Sequence, residues 1–137
     1  VIRRATPDDI DAIEAADRVC FPFDEPYMFS WHKNASWVSM IDGELAGYLS
    51  AHPINNRGRW FFSRVGVMPA HRGRGLQRRL MAVMEKHGRA SGWKEIVTYT
   101  AGGNGWSTRN ILASGYRTYE PRSSWVGWEV VHMRKRL

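Results

Sequence analysis

The sequence predicts a mixed α/β domain over residues 1–137, with a central mixed, twisted sheet of about six to seven strands flanked by about four helices. Three observations point there. Segments of strand and helix character alternate along the chain instead of clustering by type. Residues 65–84 run from an apolar strand through a proline turn and a basic, glycine-rich loop into an amphipathic helix. The 137 residues are 43% hydrophobic and include seven tryptophans, enough for one sizeable core.

In chain order, residues 2–5 read as a short strand. Thr6 is a good N-cap, Pro7 suits a first helical position, and Asp8 and Asp9 complement the helix dipole, so a helix is expected to about Cys20. Residues 21–26, with two prolines, read as a turn-rich loop and residues 27–32 as a short helix. Residues 36–41 and 44–51 form a hairpin around Asp42-Gly43, a favoured tight-turn pair. Asn55-Asn56-Arg57-Gly58 marks the next turn, and residues 59–68 form a strand. The following helix runs to about Ser91, with Leu76, Leu80, Val83, Met84 and His87 on its core face. Residues 94–100 form a strand that leads into the Ala101-Gly102-Gly103 loop. Residues 104–114 form a helix that stops at Gly115, and residues 116–120 and 124–133 close the chain as strands. There is no repeat, linker or low-complexity tract.

Composition excludes several classes. No apolar run approaches membrane-spanning length, and the opening Val-Ile-Arg-Arg shows no signal peptide, so a cytoplasmic protein is expected. The single cysteine, Cys20, has no internal partner for a disulfide. It falls in register with Ile10, Ile13 and Ala16, which favours burial over catalysis. No His/Cys/Asp cluster has ligand spacing, so no metal is expected. The formal net charge is +7. Arg57, Arg59, Arg64 and Arg134-Lys135-Arg136 read better as a solvated basic face than as a nucleic-acid surface.

The loop before the long helix carries the clearest chemistry. The first backbone N–H groups of a helix lack internal partners and sit at the positive end of its dipole. Gly73 and Gly75 can take positive φ and let a ligand approach the backbone. Arg72, Arg74, Arg78 and Arg79 add charge. Together they make an anion site suited to a pyrophosphate. No Gly-Lys-Ser/Thr follows, which excludes a Walker loop. The proline turn and arginine spacing depart from a dinucleotide fingerprint.

Val67-Met68-Pro69-Ala70-His71-Arg72-Gly73-Arg74-Gly75-Leu76 resembles motif A of the GNAT N-acetyltransferase superfamily, V-x-P-x-x-[RQ]-x-x-G-x-[GA], with Gln77 in its last place. Asn104-Gly105-Trp106-Ser107, followed by Gly115-Tyr116, resembles the N-x-x-[AS] … G-[FY] run of motif B. The opening residues 2–10 are similar to a common start in that superfamily, so the resemblance covers almost the whole chain. It implies a strand before motif A that splays from the strand before motif B and pairs its free backbone groups with the pantetheine arm of acetyl-CoA. On that resemblance Val65, Gly66 and Val67 line the arm, with a backbone N–H near Val67 facing the thioester oxygen. Arg72 contributes charge, while Gly73, Arg74, Gly75, Leu76, Gln77 and Arg78 hold the pyrophosphate. The Gln77 side chain can point outward. Asn104 bonds the pantetheine or simply caps its helix.

The motif order and the Cys20-Phe21-Pro22 segment also resemble ribosomal-protein alanine N-acetyltransferases. Those enzymes place a Glu base late in the strand before motif B and a Tyr acid seven residues after the motif B Asn. Tyr99 and Ile111 stand there instead. Local candidates for proton transfer are Tyr99, whose phenol can donate or relay a proton, and Ser107 on the first turn of the motif B helix; both also suit plain packing. Asp24 and Glu25, in the loop after the first helix, can attract an ammonium group or belong to a solvated turn. Nothing in the sequence places His52 or His71 in a cleft.

The reading that follows is an acetyl-CoA-dependent N-acetyltransferase acting on a primary amine by direct transfer in a ternary complex. The amine belongs to a small molecule, peptide or protein. A CoA-binding regulatory module with little catalysis is the alternative from another class, and a homodimer stays open.

Overall fold

The computed structural model describes residues 1–25, 34–101, 104–122, 126 and 129–137. Its strands are β1 (Ile2–Arg4), β2 (Ala35–Ile41), β3 (Glu44–Pro53), β4 (Arg59–Val67), β5 (Glu95–Ala101), β6 (Arg117–Thr118) and β7 (Val130–Arg136). Its helices are α1 (Ile10–Cys20), α2 (Leu76–Ala90) and α3 (Gly105–Ala113). The strands form one seven-stranded sheet in the order β1-β2-β3-β4-β5-β7-β6. Every neighbouring pair is antiparallel except β4 and β5, which run parallel.

The mixed α/β class agrees with the sequence reading. The described residues include three of the roughly four α-helices expected; the short helix expected at residues 27–32 lies outside the described residues. The first helix opens with a 3-10 turn, Pro7–Asp9, because the Asp9 carboxylate accepts the Thr6 N–H at 2.7 Å and tightens the turn. The Arg3 guanidinium, and that bond after it, hold Asp9 well below the usual carboxylate range, at about 2. The last strand, expected over residues 124–133, is described from Val130 and carries Arg134-Lys135-Arg136 within it; the expected start at residue 124 lies outside the described residues.

The β2–β3 hairpin turns at Asp42-Gly43, both with positive φ. Helices cover both faces. Ile13 and Ala16 of α1 pack on Val38 and Tyr48. On the other face Leu76, Leu80, Met81 and Met84 of α2 pack on Trp37, Leu49, Phe62 and Ile96, and Ile111 of α3 joins them. Of the five residues named from sequence, Leu76, Leu80 and Met84 are buried and Val83 and His87 are half-buried, and the buried stripe also takes in Met81, Glu85 and Gly88. Glu85 is tolerated there because Lys135 of β7 donates to it at 2.8 Å and to the Ser114 carbonyl at 2.6 Å.

The expected solvated basic face is largely paired. Arg64 donates to Asp17 at 2.9 Å, and Glu95 lies between Arg59 (3.5 Å) and Arg134 (3.8 Å). Among the described residues no helix is long and apolar enough to cross a membrane.

Gly88 is where α2 comes closest to the rest of the core. A Cβ there would stand 2.6 Å from the Trp93 ring and 2.9 Å from Leu137. Gly88→Ala is expected to destabilise the protein by about 1–3 kcal/mol in urea unfolding, overpacking outweighing alanine's helix preference. A more stable variant would contradict this packing of α2 on Trp93.

Candidate active site

The site begins with a fork in the sheet. β4 and β5 pair only at Arg59↔Glu95, Trp60↔Ile96 and Phe61↔Val97. Beyond that point β4 continues to Val67 and β5 to Ala101 without a ladder between them. β4 keeps its other neighbour, β3, through Gly47↔Val67. An extra residue in β4, Ser63, breaks the β3–β4 register there, and its hydroxyl donates to the Ser50 carbonyl at 2.9 Å. Among the described residues the far half of β4 therefore has one edge that no strand satisfies, and backbone groups at such an edge demand partners.

Two clefts open at the fork. The larger, about 640 Å³, lies between the end of β4, the glycine-rich loop and the starts of α2 and α3. Val65, Gly66 and Val67 form one wall. Arg72, Gly73, Gly75, Leu76, Gln77 and Arg78 form another, and Asn104 and Ser107 stand opposite. Arg74, assigned with them from sequence, is exposed and outside these walls.

The loop's geometry follows from its residues. Pro69 opens a 3-10 turn, and Arg72 Nε then donates back to the Val67 carbonyl at 3.0 Å, closing the loop on the end of β4. Gly75 is the N-cap of α2 at φ 72°, a conformation costly for residues with a Cβ. A Cβ at Gly73 or Gly75 would meet nothing within 4 Å, so their faces toward the cleft are open. Arg78 Nε donates to Asn110 Oδ1 at 3.2 Å and ties α2 to α3.

Gln77, named with the pyrophosphate residues from sequence, keeps its side chain at the cleft instead of turning outward. It lines the cleft, and its Nε2 is buried without a partner among the described residues. A glutamine side chain is long enough to fold back along the first turn. His71, which the sequence did not place, also lines this cleft with Nδ1 buried and unpartnered among the described residues. Buried polar atoms of this kind demand a partner, from an ordered water or from a polar ligand.

The second cleft, about 490 Å³, lies on the α1 side of the fork. Tyr99 lines it, half-buried and stacked on Phe61 at a centroid distance of 5.5 Å. Asp24 and Glu25 line it and are exposed, as does Arg64, whose Nη2 lies 3.7 Å from Asp24. Phe23 at its rim is 98% exposed. Ile111, where a Tyr acid was sought, is buried in the core and carries no proton to give. The two clefts share Phe21, Val65, Asn104 and Ser107 as walls.

Asn104 caps α3, its Oδ1 accepting the Ser107 N–H at 3.3 Å. Thr108 and Thr100 share a 2.7 Å hydrogen bond that fixes α3 on β5. His52 stays outside both clefts, edge-on to Phe61, and burial lowers its pKa. Among the described residues no group of His, Cys, Asp and Glu could hold a metal ion.

Sequence reasoning missed Phe21 and Arg64 as site residues. Arg64 had a legible signal: Asp17 sits on the inward face of α1 between Ile13 and Cys20, and a carboxylate there demands a buried cation. Cys20 is half-buried rather than fully packed, because α1 ends there. Its thiol donates to the Val67 carbonyl at 3.5 Å and lines the larger cleft.

The sequence profile of the Acetyltransferase (GNAT) family matches residues 8–111. Similar solved structures include the ribosomal-protein-alanine N-acetyltransferase from Brucella melitensis, at 20% identity and a TM-score of 0.82 over 100% of this chain and 99% of that one. The PaiA N-acetyltransferase from Thermoplasma acidophilum, in complex with coenzyme A, gives 13% identity and a TM-score of 0.81 over 100% and 98%. YncA from Salmonella typhimurium, with its cofactor acetyl-CoA, gives 21% and 0.81 over 99% and 92%. A search of curated protein sequences gives no match.

Burial pushes the Cys20 thiol above its ordinary pKa, with the Arg72 guanidinium opposing in part. The thiolate fraction at neutral pH is therefore depressed. Alkylation by iodoacetamide at pH 7 is expected to run about tenfold slower than for a free cysteine and to rise steeply only in alkali. Fast alkylation at pH 7 would contradict this environment.

Proposed function

The chain belongs to the GNAT acetyltransferase family and is an acyltransferase, and we propose that it moves an acetyl group from acetyl-CoA to a primary amine by direct transfer while both are bound. The single observation that carries this is the shared wall of the two clefts: a ligand in each would meet at Val65, Phe21, Asn104 and Ser107. No carrier residue is then needed between donor and acceptor. Cys20, the one thiol, is held neutral and bonded to a carbonyl, which argues against an acetyl-cysteine route.

The residues present fit acetyl-CoA. The glycine faces at positions 73 and 75 are open, the start of α2 offers unpaired N–H groups, and Gln77 Nε2 is a buried donor without a partner among the described residues. On this proposal Gly73, Gly75, Leu76, Gln77 and Arg78 hold the pyrophosphate, with Arg72 and Arg74 adding field. The open edge at Val65, Gly66 and Val67 takes the pantetheine amides as an added strand. Asn104 keeps α3 capped against the arm. Acetyl-CoA supplies an acyl group activated as a thioester, and the acceptor nitrogen bonds to its carbonyl carbon as the C–S bond breaks.

Two proton tasks remain for the chain. The attacking amine has to be neutral, and no Glu stands late in β5 to make it so. Asp24 and Glu25, exposed at the second cleft, attract the ammonium form, and deprotonation runs through water. The leaving sulfur takes a proton, for which Tyr99 and Ser107 are the donors in reach of the fork. The acceptor's amine sits against aromatic walls at Phe21, Phe62 and Tyr99.

Three outcomes follow. CoA should bind in calorimetry, and Gly75→Glu should reduce affinity at least about a hundredfold by adding charge and bulk at an anion site. Gly75→Asn, which tolerates the left-handed backbone, should lose much less. Equal CoA affinity in Gly75→Glu and the parent would sink the loop's role.

Tyr99→Phe keeps the ring and should lower turnover by roughly a hundredfold with acetyl-CoA affinity unchanged. Turnover within about twofold of the parent, far below the range for acid–base groups, would assign Tyr99 to packing alone. Because no carboxylate base stands late in β5, the rate should climb with pH as the acceptor amine loses its proton, and its midpoint should move with the acceptor's own pKa. A bell-shaped profile near neutrality that ignores the acceptor would show a dedicated acid–base pair.

A further inference from the structure

The open stretch of β4 is gripped from the α1 side by a buried chain of contacts that the transfer chemistry does not itself require. Tyr48 of β3 stands opposite Gly66 in the ladder. Its ring lies so close over Gly66 that a Cβ there would come within 2.6 Å of the hydroxyl oxygen. The Tyr48 hydroxyl donates to Asp17 Oδ1, and Asp17 Oδ2 accepts from Arg64 Nη1 at 2.9 Å. The Arg64 guanidinium lies 4.7 Å from the Phe21 ring centroid. One residue beyond Gly66, the Val67 carbonyl takes the Cys20 thiol at 3.5 Å. Arg64, Gly66 and Val67 are thus each held from α1 or through it, along the run where β4 has no β5 beside it.

This is an expensive way to fill space. Tyr48 is 1% exposed and Asp17 3%. A buried carboxylate bonded to a phenol and a guanidinium stabilises a fold no better than well-packed apolar residues of the same volume, because desolvation offsets the attraction. What it provides is direction, since hydrogen bonds fix a strand's height and tilt where dispersion does not. Burial, and the bond to Asp17 second, push the Tyr48 phenol far above its ordinary pKa, so it stays a donor at any working pH.

We propose that Tyr48 and Asp17 are positioning residues, which hold the unpaired edge of β4 in the register that accepts the pantetheine arm. This rests on the cofactor reading above. It assigns the network to one segment of the cofactor, the arm, and leaves the nucleotide end to the loop at the start of α2.

The test compares two probes in calorimetry: CoA, and 3′-phosphoadenosine 5′-diphosphate, which keeps the nucleotide and pyrophosphate but lacks the arm. Tyr48→Phe retains the ring over Gly66 and removes only the hydroxyl. It is expected to weaken CoA by about tenfold, the scale of one hydrogen bond to a buried charge, and to leave the arm-less probe within about twofold. A general loosening of the fold would weaken both probes alike, and that result, or no loss for either, overturns the proposal while the loop assignment stands. A parent protein that binds neither probe overturns the cofactor reading and this inference with it. Should Tyr48→Phe fail to fold, Asp17→Asn, which keeps the shape and one acceptor, is held to the same selective loss.

Discussion

The parting of β4 from β5 after Phe61 and Val97 is the constraint on which the rest of this structure depends. A parallel pair that stayed zipped to its ends would bury its backbone groups in a ladder and leave no cleft. Here the ladder stops after three pairs, and the far ends are braced from elsewhere. β3 holds one edge of β4 throughout, Ser63 breaks the register, and the Thr100–Thr108 bond pins β5 to α3. The two clefts are the space between the arms, which is why they share walls.

Charge is distributed to match. Several cations outside the loop are paired, with Arg64 on Asp17, Lys135 on Glu85, and Arg59 and Arg134 on Glu95. The arginines of the loop and the first turn of α2 remain exposed, at Arg72, Arg74, Arg78 and Arg79. An anionic ligand is therefore drawn to one end of one helix. Across the fork, Asp24 and Glu25 give the second cleft an acidic lip. The two sides suit ligands of opposite charge, and the shared wall brings them together.

The elements that could be read from sequence are those set by local chemistry. The glycine-rich loop, the Asp42-Gly43 hairpin and the Asn104 cap each depend on a few adjacent residues, and each stands where its residues predict. The long-range parts were less legible. Cys20 was assigned to full burial from its helix register, but α1 ends there and its thiol faces the Val67 carbonyl. Gln77 was named for the anion site with its side chain free to point outward, and it is the side chain that lines the cleft. Arg64 was assigned to a solvated face because its partner lies 47 residues away on α1. His71 gave no positional signal, since only the folding of the loop back onto β4 through Arg72 brings it to the cleft. Register along one element predicts which face is inward; it does not say what that face meets.

The most direct measurement of the central claim is amide hydrogen exchange with and without CoA. If the open edge of β4 serves as the docking strand, CoA should slow exchange at residues 65–67 as well as at the loop and first turn, residues 73–77, while β1 at the far edge of the sheet stays unchanged. Protection confined to the loop, with residues 65–67 exchanging as fast as before, would contradict the account.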